Sequence, residues 1–363
     1  MRVIYDYAAF VMQARGGVSR VLYELFCHVA KTPGIECRLF AGFHKNRYLR
    51  DAPPEVKKNI VGWYLPQWLV KQRIFMPINR WLFQYYAKRF NPEICHYTYF
   101  DTPEVPEGCK VVVTMHDMIH ELFPKMFSAD DPQQGWKKNA VACADGIICV
   151  SENTKQDLEH FINLAGKKVA VIHHGNSLAS VVPGNVDGFA PFILYVGTRS
   201  VEYKNFNLVL LALAGYTAET PMHLVCFGGG AFTAAESEQI EKAGLAGHVH
   251  QMGGSDALLA GYYAAAQALI YPSKYEGFGL PPIEAMGFGC PVISSNAPPM
   301  PEIVGDAGLY FDPDNAENLG EQIQSIANET KRMEMVKKGK DRSKIFSWSR
   351  MVDDAIKFYR DLL

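Results

Sequence analysis

Two carboxylates frame a turn rich in glycine and proline, Glu276-Gly277-Phe278-Gly279-Leu280-Pro281-Pro282-Ile283-Glu284. The apolar run Ala268-Leu269-Ile270-Tyr271 before it reads as a buried strand closed by Pro272. Gly277 and Gly279 admit backbone angles that other residues avoid, so a tight loop is expected. Pro281 and Pro282 suit the first turn of a helix, where a missing N–H costs nothing. Strand, glycine turn and helix N-terminus is the place where an open parallel sheet takes its ligand. The free N–H groups and positive end of such a helix favour a phosphate. Glu276 and Glu284, which repel a phosphate, suit hydroxyl groups. A sugar beside a diphosphate satisfies both halves.

Other residues add to this chemistry. Gly197 ends the apolar run Phe192–Val196, and Arg199 and Lys204 follow in a loop. A guanidinium fork and an ammonium point charge can meet a diphosphate from two directions, although two solvated basic residues would look the same. Gly16-Gly17 precedes a helical pattern at Arg20–Phe26, where a ligand could approach the backbone closely. It is not the G-x-G-x-x-G of dinucleotide enzymes, so NAD gains little support. His116 ends the strand pattern Val111–Met115, a position that faces ligands in parallel sheets. His116 and His120 form an H-x3-H pair without a convincing third ligand, so no metal site is assigned to them. Asp312-Pro313-Asp314 has D-x-D form, but it sits between a strand and a helix, where capping is the better reading.

The string from Glu276 to Glu284 resembles the signature of the large retaining glycosyltransferase family with the GT-B fold, often called family 4. Val113-Thr114-Met115-His116-Asp117-Met118-Ile119-His120-Glu121 is similar to the same family's His-Asp motif. The resemblance covers nearly the whole chain and is strongest from Gly197 to Glu302. It implies that Glu284 holds the ribose hydroxyls of the donor, and that Glu276 and the N–H groups near Phe278, Gly279 and Leu280 hold its sugar. It further implies that Arg199 and Lys204 neutralise a leaving diphosphate and that His116 faces the transferred sugar. Gly16, Gly17, Gly229 and Met252 would lie along the donor. The expected donor is a nucleotide diphosphate sugar, GDP-mannose or similar, with a GDP-sugar slightly favoured over a UDP-sugar. No other cofactor and no metal is required. The acceptor implied is a hydroxyl of a glycan or lipid-linked glycan in polysaccharide or O-antigen assembly. A sugar-nucleotide epimerase or phosphorylase of the same fold, or a non-catalytic binding module, are the alternatives; measured release of nucleotide diphosphate separates them. The family's Asn-Gly-Val-Asp-like turn is replaced here by Gly175-Asn176-Ser177, so His173 and His174 receive no role.

The elements that must position these groups alternate strand and helix along the chain, which predicts an α/β protein of two Rossmann-like domains facing across a cleft. Residues 1–176 form the acceptor-side domain, 177–190 a linker and 191–345 the nucleotide-sugar domain. Residues 346–363 form a helix that returns to the first domain. Further strands are expected at Val3–Tyr5, Ile94–Tyr97, Gly146–Val150, Val169–Ile172, Leu224–Phe227, Val249–Gly253, Pro291–Ser295 and Gly308–Phe311, and a Ser151-capped helix through Leu164. From Trp63 to Phe90 aromatic residues interleave with Lys71, Arg73, Arg80, Lys88 and Arg89. Pro66 and Pro77 predict short helices there rather than one long helix. That stretch suits core packing, an acceptor groove or a membrane surface.

With 363 residues, 48% apolar and 20% charged, the chain can bury a core in each domain. A net charge of −2 argues against a nucleic-acid partner. The eight cysteines include no C-x-x-C pair and fit reduced, buried thiols. No signal peptide is read at the start and no apolar run approaches the ~18 residues of a membrane span. A cytoplasmic protein is expected, with peripheral membrane contact allowed by the Trp63–Phe90 stretch.

Overall fold

Apolar runs too short for helices become two all-parallel sheets, each a separate unit. In the computed structural model residues 1–128, 130–164, 166–186, 188, 191–216 and 222–363 are described. The first unit is Met1–Gly175 with Trp348–Leu363, and the second is Asn176–Ser347. The linker expected at 177–190 falls within the second unit, and its positions 187, 189 and 190 lie outside the described residues.

The first unit contains β1 (Arg2–Tyr5), β2 (Glu36–His44), β3 (Ile60–Tyr64), β4 (Ile94–Thr98), β5 (Lys110–Met115), β6 (Gly146–Cys149) and β7 (Lys168–Val171), in the order β3-β2-β1-β4-β5-β6-β7. The second contains β8 (Phe192–Val196), β9 (His223–Phe227), β10 (Val249–Met252), β11 (Leu269–Tyr271), β12 (Val292–Ser295) and β13 (Gly308–Phe311), in the order β10-β9-β8-β11-β12-β13. The chain reverses direction across each sheet once, between β1 and β4 and between β8 and β11. Ligands of open parallel sheets sit beyond the carboxyl ends of the strands at that reversal.

The C-terminal helix Trp348–Arg360 packs on the first unit. Its Tyr359 hydroxyl lies 2.6 Å from His96 Nδ1 and 3.1 Å from the Tyr5 hydroxyl, inside the sheet's core. A Cβ at Gly175 would strike the backbone of Trp348, and one at Gly146 would strike Phe358, so bare backbone admits the helix at both places.

Four elements differ from the sequence reading. Strands β2 and β3 were not foreseen. β2 carries a bulge between Phe40 and Gly42, which breaks its alternation. The helix capped by Ser151 ends at Phe161 rather than Leu164. The Trp63–Phe90 stretch holds one long helix, Gln72–Phe90, which runs through Pro77. Proline there removes one helical hydrogen bond, at a cost of about 3 kcal/mol. Burial offsets it: Phe83 packs edge-on against Phe40 and beside Tyr7 and Tyr97, and Asn79 bonds Phe43 through both its N–H (2.9 Å) and C=O (3.1 Å).

Candidate functional site

In the second unit the reversal between β8 and β11 gathers the residues singled out in the sequence. The loop after β8 turns at Gly197, with φ +126°, and again at Asn205, with φ +57°. Asn205 holds that left-handed angle because its side-chain amide donates to the carbonyls of Pro272 (3.2 Å) and Pro313 (2.7 Å). The loop after β11 turns at Gly279, φ +112°, where a Cβ would meet the Met300 side chain. These turns bring Lys204 Nζ to 2.5 Å from Glu276 Oε1, and both side chains are less than a fifth exposed. Tyr271, at the end of β11, hydrogen-bonds Glu276 as well. Burial first, and the Glu276 carboxylate second, push its pKa well up, so it stays a neutral donor.

The helix Leu280–Gly287 begins at Gly279 with no side-chain cap and no acid in its first turn. Pro281 and Pro282 occupy that turn, so of its first four backbone groups only Leu280 and Ile283 carry an N–H. Glu284 is buried and accepts from the Tyr263 hydroxyl at 3.1 Å. Phe278 packs its ring edge-on against Phe346, while Glu276 and Gly277 stay partly open. Met252 ends β10 and its carbonyl accepts from Gly228 N at 2.9 Å, which ties it to the glycine loop after β9.

Arg199 points into the protein. Its side chain is fully buried, with Nε 3.1 Å from Glu236 Oε1. Nη1 donates to Gly228 O and Nη2 to Gly230 O, each at 2.8 Å. Gly228, Gly229 and Gly230 all have positive φ, between +71° and +85°, and a Cβ at Gly229 would strike this guanidinium. The fork expected on a diphosphate here bonds the carbonyls of the glycine loop. The exposed groups of that turn are Thr198 and Ser200, whose hydroxyls are 3.2 Å apart. Asp312 and Asp314 form a turn of their own: Asp312 accepts from Asp314 N at 2.9 Å, and Asp314 pairs with Lys274 at 2.5 Å. Among the described residues no three His, Cys, Asp or Glu side chains converge on a metal position.

In the first unit His116 follows β5 and lies beside two other rings, Tyr99 at 6.2 Å and His174 at 5.9 Å between centroids. Burial lowers the His116 pKa to about 4, so it is a neutral imidazole near pH 7. Behind it the fully buried Lys137 pairs with Asp117 (3.2 Å) and Glu121 (2.8 Å). His174, given no role in the sequence, lies 58 positions from His116 in the chain, and Lys137, not singled out there, sits on a helix with no motif. His120 is buried over Phe127 and contributes to packing. Gly16 and Gly17 start the helix Gly17–Val29, but the side chain of Gln13 folds over them and accepts from Ser19 N at 3.0 Å. A cavity of about 580 Å³ lies past β4, walled by Met12, Phe100, Asp101 and Trp136 and by Arg73 and Met76 of the long helix. Asp101 in its wall accepts from the Tyr7 hydroxyl at 2.5 Å and pairs with Arg80.

The descriptions "Glycosyl transferases group 1" and "Glycosyltransferase Family 4" match residues 183–342 and 15–179. The chain is 35% identical over 270 residues to O-antigen chain mannosyltransferase B of Escherichia coli, which covers 69% of this chain and 70% of that one. It is 25% identical over 217 residues to O-antigen chain mannosyltransferase RfbU of Salmonella typhimurium, 59% and 60% of the two chains. Among solved structures it resembles sucrose-phosphate synthase from Thermosynechococcus elongatus, with a TM-score of 0.77, 20% identity and 99% and 98% coverage. It also resembles Alr3699/HepE from Anabaena, solved with UDP and glucose, with a TM-score of 0.75, 15% identity and 99% and 100% coverage.

Proposed function

We propose that this chain, which belongs to glycosyltransferase family 4, has the GT-B fold and is a hexosyltransferase, moves mannose or a related hexose from a nucleotide diphosphate sugar to a hydroxyl of a glycan or lipid-linked glycan. A GDP-linked donor is favoured, with UDP, the nucleotide bound by the Alr3699/HepE neighbour, as the other base. The acceptor belongs to polysaccharide or O-antigen assembly, as the names of the two mannosyltransferase relatives suggest. Transfer is with retention of anomeric configuration, and no metal is required.

The observation that carries this reading is the pairing of Lys204 with Glu276 at the reversal of the second sheet. An ammonium has three donors, of which Glu276 takes one. The others can follow the charge that grows on a diphosphate as the glycosidic bond breaks, the term that dominates reactions of this kind. Glu276, with the partly open Gly277, takes sugar hydroxyls, and Glu284, oriented by Tyr263, takes those of the ribose. Gly197, Gly229, Met252, Phe278, Gly279 and Leu280 bring backbone to the donor. Neutral His116 exchanges hydrogen bonds with the transferred sugar rather than charge. The departing phosphate accepts the acceptor's proton on the face it leaves, so no side chain need be a nucleophile. The cavity past β4 takes the acceptor: its aromatic and methionine walls suit sugar faces, and Arg73 suits an anionic group.

The test is nucleotide diphosphate release from GDP-mannose and UDP-glucose, with and without a short mannoside acceptor, and the anomeric configuration of the product by NMR. Acceptor-dependent release with an α-linked product supports the reading. Release that ignores acceptor, or an inverted product, counts against it.

A further inference from the structure

We propose that the helix Gln72–Phe90 docks the chain side-on to an anionic phospholipid surface, an inference that rests on the lipid-linked acceptor of the preceding reading. The helix has three faces. Asn79, Phe83 and Ala87 are buried in the first unit. Arg73, Met76 and Arg80 line the cavity. The third face is Ile74, Ile78, Trp81 and Tyr85, exposed by 51, 39, 66 and 54%. Their spacing of four, three and four residues is that of one stripe along a helix. Trp68 and Leu69, just before the helix, are 76 and 41% exposed. Trp63 is 57% exposed and adjoins the helix through Phe43, which touches both Trp63 and Phe75. Three of the chain's five tryptophans are thus exposed on or beside this helix.

Charge decides what covers it. Between Glu55 and Glu93 the sequence holds Lys57, Lys58, Lys71, Arg73, Arg80, Lys88 and Arg89 and no Asp or Glu, in a chain whose net charge is −2. Arg80 is taken by buried Asp101, and the other six are exposed. A two-fold contact between copies would set these cations against one another, because such an interface repeats the same patch on both sides. An anionic bilayer meets both parts of the surface: its phosphates attract the cations, and its headgroup region takes amphipathic rings. Among the described residues no helix is long and apolar enough to cross a membrane, so the helix lies on the surface. The cavity shares this helix as its wall and is then held within about 10 Å of the lipid, one helix diameter.

The experiment is sedimentation of the full chain with vesicles of phosphatidylglycerol mixed with phosphatidylcholine, and with phosphatidylcholine alone, at low and high salt. The wild type is expected to bind the anionic vesicles only, and to leave them as salt screens the charges. Lys71→Gln, Lys88→Gln and Arg89→Gln together should lower the partition coefficient about a hundredfold. Trp68→Ser with Trp81→Ser should lower it about tenfold or more by the apolar area withdrawn from lipid. Both variants change exposed side chains outside the cavity, so thermal unfolding and transfer to a short soluble acceptor should match the wild type. Absence of binding to anionic vesicles, equal binding to neutral ones, or a dimer dispersed by the tryptophan changes would each overturn the proposal. Loss of transfer with vesicle binding intact would instead count against the acceptor reading and leave the docking surface standing.

Discussion

Replacing Arg199 by alanine is expected to destabilise the second unit before it slows the chemistry. The guanidinium is fully buried, and its shortest hydrogen bonds run to Glu236 Oε1, Gly228 O and Gly230 O. Glu236 also accepts from Thr233 N at 2.7 Å and starts the helix Ala234–Lys242 in a capping box. Removing one partner of a buried ion pair costs about 3–5 kcal/mol, because the other is left buried without its counter-charge. Glu236 keeps Thr233, which lowers the cost, while two carbonyls lose their donors, which raises it. For a unit the size of Asn176–Ser347, each kcal/mol moves the transition by about 2–4 °C, so a fall of about 10 °C is expected. Arg199→Lys, which retains the charge but not the fork, should fall between the two. Calorimetry of the full chain reads the transition; turnover is measured well below it. There, kcat should change by less than about tenfold, with the larger effect on donor KM through the Gly228–Gly230 loop. An unshifted transition together with a loss of 10²–10³ in kcat, about that of an oxyanion donor, would refute the reasoning and return Arg199 to the diphosphate.

Lys204→Met should lower kcat by about 10²–10³ while donor affinity falls less, since its charge matters most as the leaving group ionises; wild-type kcat in steady-state assays would remove its role. Acid should weaken the first unit: burial lowers the pKa of His44 and His116 to about 4 and of His96 to about 3. The unfolded chain takes up protons near pH 6.5 that these folded imidazoles refuse, so stability is complete above that pH and falls as pH drops from 6.5 towards 4. The slope is up to about 1.4 kcal/mol per pH unit per histidine, and urea unfolding that is flat across this window would contradict it. EDTA should leave turnover intact; loss restored by magnesium or manganese would give Asp312 and Asp314 a metal role that their turn and Lys274 pairing do not suggest.

The strands that carry the site were legible because each is short, apolar and closed by glycine or proline. Ala268–Tyr271 became β11 and Phe192–Val196 became β8, and the turns at Gly197 and Gly279 do need the angles only glycine adopts freely. β2 was lost where its bulge at Gly42 shifts the register and where the partner filling it, Asn79, is 37 positions away. Pro77 predicted a break that did not occur. Local propensity counts the lost hydrogen bond but not the aromatic ring that Phe83 buries two turns later.

Arg199 and Lys204 show where reading a site from sequence reaches its limit. Both are cations in one loop after one strand, and either could meet a diphosphate. What separates them is the carboxylate each finds: Glu236, in the first turn of a capped helix and buried, or Glu276, on the glycine turn at the reversal of the sheet. Neither partner is near in sequence, so spacing could not choose between them. The buried fork is held by Glu236 and by the carbonyls of Gly228 and Gly230, and a side chain at Gly229 would collide with it. The ammonium keeps donors to spare beside a carboxylate that suits hydroxyls. On the proposed reading, Lys204 is the charge that answers a change in the substrate and Arg199 holds the loop in place.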